Sequence, residues 1–146
     1  MEKIDKIFSF VIFFLFGAIS YCFNLDFYAI ADSGLTLSSI VIAVYIAAII
    51  GLINTELSKK MSSSVSPQDR SKSQLGVLVI YFKIAIGYAI TTIILSSIIL
   101  LIHIPDSNPT KFYSIVSVLG FIAFSENIYF LIVTIRFMLN RQIWNQ

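Results

Sequence analysis

Charged residues, cysteine and histidine are all scarce in this sequence, and each shortage excludes a class of protein. Charged residues make up 12% of the 146 residues, against about a quarter in a soluble globular domain. Hydrophobic residues make up 58%, more than one soluble core of this size can bury. Cys22 is the only cysteine and His103 the only histidine, so neither an internal disulfide nor a zinc cluster is expected. We therefore predict no cofactor and no metal.

The sequence contains four long apolar stretches. Spanning the hydrocarbon core of a bilayer takes about 20 helical residues. The stretches are continuous rather than alternating, which favours helices over the strands of a barrel. We therefore predict an all-α, polytopic membrane protein with a single membrane domain, residues 1–146. Its four transmembrane helices are expected at about 7–23, 35–53, 75–104 and 113–139.

The segments between these helices differ in composition. Residues 24–34 are short and acidic, and residues 105–112 contain two prolines and predict a tight turn. Residues 54–74 are polar and rich in serine, which predicts a flexible loop. Basic residues precede the first helix, occupy this loop and end the fourth helix, while the opposite side has only Lys111. By the positive-inside rule, both termini and the 54–74 loop are expected in the cytoplasm. The composition is rich in isoleucine, lysine, asparagine and serine and low in arginine, which is compatible with a bacterial gene, so the expected location is a bacterial inner membrane.

Glu126 is the residue that most needs an explanation, because it falls near the centre of the fourth apolar stretch beside Asn127. A carboxylate at mid-bilayer costs about 2.5–3.5 kcal/mol on insertion scales. Two interpretations are open: a proton or ion site, or a polar clamp between helices or subunits. Lys83 is the natural partner, although its long stem equally allows it to reach the cytoplasmic headgroups.

The second helix carries a row of small side chains that recurs every four residues, which predicts close helix contact. The pattern does not distinguish contact within a subunit from contact between subunits. The row comprises Ser39, Ala43, Ala47 and Gly51. The 54–74 loop is the largest cytoplasmic surface, and its cations predict docking of a soluble partner or of anionic lipid. These are Lys59, Lys60, Arg70 and Lys72.

Three function classes fit these features to different degrees. An enzyme is not expected, because no cluster of histidine, aspartate or cysteine lies near one interface. An ion or proton-coupled channel or transporter is the alternative, with Glu126, Asn127 and Lys83 beside hydroxyl residues of the third helix. The favoured class is a non-enzymatic membrane subunit that forms a homo-oligomer and serves as a sensor or scaffold. A direct nucleic-acid partner is not expected.

In size and in its four-helix topology, roughly residues 7–139, the chain resembles KwaA, the membrane component of the Kiwa anti-phage system of bacteria. The resemblance implies a homo-oligomeric membrane sensor in antiviral defence and a soluble cytoplasmic partner, KwaB, that acts on infection. No motif carries the resemblance, so it transfers no functional residue.

Overall fold

The computed structural model describes four segments of the chain, residues 3–52, 55–65, 73–102 and 110–143. These segments form five helices: α1 Lys3–Cys22, α2 Tyr28–Leu52, α3 Glu56–Ser63, α4 Gln74–Ile102 and α5 Lys111–Ile143. Four of them, all but the eight-residue α3, are long and apolar enough to cross a membrane. The all-α prediction with four transmembrane-length helices is confirmed.

The second membrane helix begins at Tyr28, whereas the sequence predicted a start at residue 35. The carboxylate of Asp26 accepts a hydrogen bond of 3.0 Å from the Tyr28 backbone N–H and so caps the helix. The prediction was wrong because it used apolar content, and the first turns of α2 carry exposed polar residues such as Asp32 and Ser33. A capped helix tolerates such residues wherever they face outward.

The prediction of a flexible loop over 54–74 was wrong for residues 56–63, which form α3. The hydroxyl of Thr55 accepts a hydrogen bond from the Ser58 N–H and caps this helix. Met61 is buried against the residues of α2 and α4, which holds α3 on the bundle. Beyond it, Val65 and Ser73 form an antiparallel bridge that returns the chain to α4.

The four long helices pack in the order α1, α5, α4, α2. α5 packs against both α1 and α4, and α2 packs chiefly on α4. The Tyr81 hydroxyl of α4 donates a hydrogen bond to the Asp5 carboxylate, and the Tyr129 hydroxyl of α5 donates one of 3.5 Å to the Asp5 carbonyl. These contacts place the start of α1, the start of α4 and the later half of α5 at one end of the bundle. We call it the basic end, because the exposed cations Lys6, Lys59, Lys60, Lys83 and Arg136 lie there.

The core lies between α2, α4 and α5. Its largest fully buried side chains are aromatic, and the Tyr45 and Phe82 rings contact each other at a centroid distance of 5.4 Å. Ala85 and Ala89 of α4 are also completely buried, and their small side chains allow close helix contact there. This cluster positions the neighbouring polar residues of α5.

The link between α1 and α2 is anchored on α5 by Phe27, which is completely buried. The Phe27 backbone N–H donates to the Ser117 hydroxyl at 2.8 Å, and its ring packs edge-on against Phe121. The ring lies so close to Gly120 that an added Cβ would come within 2.5 Å of it. Gly120 therefore leaves the space that this anchor requires.

Candidate functional site

Glu126 lies near the middle of α5 and is completely buried. Its Oε2 accepts a hydrogen bond of 2.8 Å from the hydroxyl of Ser9 on α1. Tyr88 of α4 lies close enough to interact with both Ser9 and Glu126. The carboxyl group is therefore enclosed where three helices meet, and one of its oxygens ties α1 to α5.

The other carboxyl oxygen of Glu126, Oε1, has no hydrogen-bond partner among the described residues. An unpartnered buried polar atom is costly, because it has given up water without a replacement. Such an atom marks a place where a proton, a water molecule or a moving side chain can act. Five other buried polar atoms of the described residues share this condition, and among the six only Glu126 Oε1 belongs to a carboxyl group.

Asn127 faces a different part of the bundle. Its amide Nδ2 donates a hydrogen bond of 2.9 Å to the hydroxyl of Ser38 on α2, and both residues are completely buried. The Asn127 Oδ1 has no partner among the described residues. The consecutive pair Glu126 and Asn127 therefore connects α5 to α1 on one side and to α2 on the other.

Lys83 does not share the surroundings of Glu126. Lys83 is exposed, whereas Glu126 has no exposed surface, and the described part of the chain contains no ion pair between them. Tyr81, two residues earlier on α4, faces α1, which places Lys83 on the opposite side of that helix. The Lys83–Glu126 pairing that the sequence left open is not made among the described residues, and the other interpretation, a lysine that reaches outward, agrees with its exposure.

The hydroxyl residues of α4 that were candidates for lining a pathway do not share one face. Thr91 is exposed, whereas Thr92 and Ser96 are buried. The Thr91, Thr92 and Ser97 hydroxyls each donate to the backbone carbonyl four residues earlier, at 2.8–2.9 Å. Hydroxyls engaged in this way are satisfied within their own helix.

The row of small side chains on α2, which we call the small-residue face, is exposed along its whole length: Ser39, Ala43, Ala47 and Gly51. α2 instead contacts its neighbours through other residues, among them Ser38, Val41 and Tyr45. An added Cβ on Gly51 would meet nothing within 4 Å. The helix contact predicted for this face is therefore not made within the described part of the chain.

The four predicted docking cations divide between described and undescribed segments. Lys59 and Lys60 are exposed on α3. Arg70 and Lys72 lie outside the described residues, as does His103. α3 thus presents two cations on an ordered helix at the basic end.

Sequence reasoning missed Asp5, Ser9 and Ser20, which lie on the face of α1 that meets the rest of the bundle. The signal was available, because these polar residues fall on one side of a helix otherwise rich in phenylalanine. Ser38 was missed because its neighbour Ser39 fitted the small-residue pattern. The two serines are adjacent in sequence, but successive helical residues point about 100° apart, so one is buried and the other exposed.

No protein-family model, curated protein or solved structure matches this chain. A function for the protein has to be inferred from the geometry of its own residues.

Proposed function

We propose that this protein is a non-enzymatic membrane subunit that assembles with further copies of itself and acts as a scaffold or sensor for a soluble partner. The observation that carries the proposal is the exposed small-residue face of α2. A membrane helix gains little from lipid exposure of glycine and alanine, but these residues let a second helix approach closely. The face includes Ala43, Ala47 and Gly51, none of them used in packing among the described helices.

The hydrogen bonds of Glu126 and Asn127 support a structural role inside the subunit better than a transport pathway. Glu126 accepts a hydrogen bond from Ser9, and Asn127 donates one to Ser38, so both polar residues connect helices. A transport pathway needs polar groups that line a wet passage. Glu126 and Asn127 are instead completely enclosed by the helices of one chain.

The basic end supplies the surface for a soluble partner. We propose that this end lies in the cytoplasm of a bacterium, because cations concentrate on the cytoplasmic side of membrane proteins. α3 is ordered there by its Thr55 cap and its buried Met61. The resemblance to KwaA implies that this partner is a soluble protein that acts during phage infection.

Gentle-detergent purification of the tagged protein from its own host tests this proposal. We expect a particle with the mass of several chains and a stoichiometric soluble protein identified by mass spectrometry. Charge reversal at Lys59 and Lys60 should release the partner and leave the oligomer intact. A single chain in the purified particle would contradict the assembly proposal, and an unaffected partner would contradict docking at α3.

A second candidate function, a proton-coupled or ion-conducting oligomer, is favoured by the unpartnered Oε1 of Glu126. Glu126→Gln distinguishes the two functions, because it preserves the shape of the side chain and an acceptor for Ser9 but removes the acid. Flux into proteoliposomes that is lost in Glu126→Gln, with the particle mass unchanged, would establish the second candidate. Absence of flux in the unmodified protein would exclude it.

A further inference from the structure

Cations at the basic end lie on two kinds of surface. Lys59 and Lys60 are exposed on α3, outside the spanning helices. Lys6, Lys83 and Arg136 are also exposed, but they lie within the apolar helices α1, α4 and α5. This second group has no obvious role in docking a soluble protein, because such a protein does not enter the bilayer.

Each cation of the second group has exposed apolar neighbours on its own helix. Lys83 shares an outward stripe of α4 with Val79, Ile90 and Ile94, which are 38%, 47% and 53% exposed. Large apolar residues on the outside of a membrane bundle face lipid tails. The stem of Lys83 therefore starts on a lipid-facing surface.

Lys6 and Arg136 repeat this arrangement on the other two helices. Lys6 shares a stripe of α1 with Phe10, which is 65% exposed, and Arg136 shares a stripe of α5 with Ile132, which is 58% exposed. Lysine and arginine in such positions extend their apolar stems along the hydrocarbon and place their charge at the headgroups. The groups within reach there are the phosphates of lipids.

Charge decides which lipids would be favoured. Besides these three cations, the basic end exposes Lys59 and Lys60 on α3, while its exposed carboxylate is Glu56. Asp5 is a second carboxylate at this end, half-buried and hydrogen-bonded by the Tyr81 hydroxyl, so the five exposed cations still outnumber the carboxylates. Glu126 is buried in the middle of the bundle. At the opposite end Asp26, Asp32 and Lys111 are exposed, and Asp26 accepts a hydrogen bond from the Tyr113 hydroxyl. Among the described residues, the excess of positive charge is thus confined to one end.

We propose that the basic end binds anionic lipid headgroups, with Lys83 holding a phosphate from the side of the bundle and α3 adding attraction from above the membrane surface. Arginine and lysine near a membrane surface attract anionic lipid by about 1 kcal/mol each, which gives a several-fold preference over a zwitterionic lipid. Of the earlier conclusions, this inference requires only that the protein lies in a membrane. It does not depend on the proposed oligomer or on the proposed soluble partner.

The test is native mass spectrometry of the full chain, purified in detergent with equal amounts of phosphatidylglycerol and phosphatidylcholine. We expect phosphatidylglycerol to be retained several-fold more often. Lys83→Gln and the pair Lys59→Gln, Lys60→Gln should each reduce that preference, and Lys83→Arg should preserve it. Lys111→Gln is the matched control, because it removes one exposed cation at the opposite end.

Thermal unfolding with each lipid added separately keeps the test informative if a variant is less stable. Phosphatidylglycerol should raise the midpoint of the unmodified protein more than phosphatidylcholine does, and the difference should shrink in Lys83→Gln. Equal retention of the two lipids would overturn the proposal. So would an equal loss of preference in Lys111→Gln, or a preference that the Lys83 and α3 variants leave unchanged.

Discussion

The two outer helices of the bundle are held in different ways. α2 packs on α4 with aromatic and aliphatic side chains, including the completely buried Tyr45 and Val41. α1 exposes most of its phenylalanines and reaches its neighbours through Asp5 and Ser9. Lipid tails are as apolar as a protein core, so packing gains less in a membrane than in water and a few hydrogen bonds can hold a helix.

This difference places the candidate site on the side of the bundle where hydrogen bonds link the outer helix to its neighbours. Glu126 lies against α1, which packs along α5, and its hydrogen bond to Ser9 joins the two helices, as does the bond from Tyr129 to Asp5. A change at Glu126 therefore acts on the position of α1 more than on the core between α2 and α4. Variants on the two sides of the bundle should accordingly differ in the size of their effects.

The largest effect on stability is expected at Gly120. Gly120→Ala puts a Cβ against the buried Phe27 ring, which is itself enclosed by Phe121 and Phe124. Overpacking of this kind costs about 1–3 kcal/mol. Thermal unfolding in detergent should show a clear loss, because the link between α1 and α2, which Phe27 anchors on α5, must shift.

Gly87→Ala is the control for that variant. Gly87 is also helical, but an added Cβ there meets nothing within 4 Å. Its stability should be unchanged or should rise by up to about 1 kcal/mol from helix propensity. Equal losses in the two variants would mean that Phe27 does not anchor the link between α1 and α2.

A smaller effect is expected from the Ser9–Glu126 hydrogen bond. Ser9→Ala should destabilise the protein by roughly 1 kcal/mol, because hydrogen bonds between membrane helices average about 0.6 kcal/mol and reach about 1.7. In a Glu126→Leu background the same change should cost nearly nothing. Additive losses in this double-mutant cycle would mean that Ser9 and Glu126 do not interact, which would contradict the proposed link between α1 and the site.

The smallest effect is expected on the α2 side at Tyr45. Its hydroxyl lies near that of Thr134 on α5 but makes no hydrogen bond among the described residues. Tyr45→Phe keeps the ring that packs on Phe82 and should change stability by less than about 0.5 kcal/mol. A loss as large as that of Ser9→Ala would mean that α2 too depends on polar contacts.

Hydropathy alone was sufficient to predict four membrane helices, because lipid forces a long apolar segment to satisfy its backbone internally. It did not predict the start of α2 or the helix α3, because both depend on single caps, Asp26 and Thr55. The amino-acid composition of a segment does not show which side chain caps a helix. The Kiwa resemblance, the orientation and the oligomer stay predictions.

The site was predictable in part. Glu126 and Asn127 were singled out from their position in an apolar stretch, and both are buried. Their partners Ser9 and Ser38 were not foreseen, because which helices adjoin α5 depends on packing over long sequence distances. Lys83 was considered as a partner of Glu126 from its position along the helix axis alone, which says nothing about the side of the helix on which a residue lies.

The central claim is that the small-residue face of α2 joins one copy of the chain to another. The most direct test is the mass of the purified particle for Ala47→Leu, with Ala18→Leu as the matched control. Both alanines are exposed, Ala47 on that face and Ala18 on α1. Several chains per particle in the unmodified protein and in Ala18→Leu, and fewer in Ala47→Leu, would support the claim. A single chain in the unmodified protein, or a mass unchanged by Ala47→Leu, would contradict it.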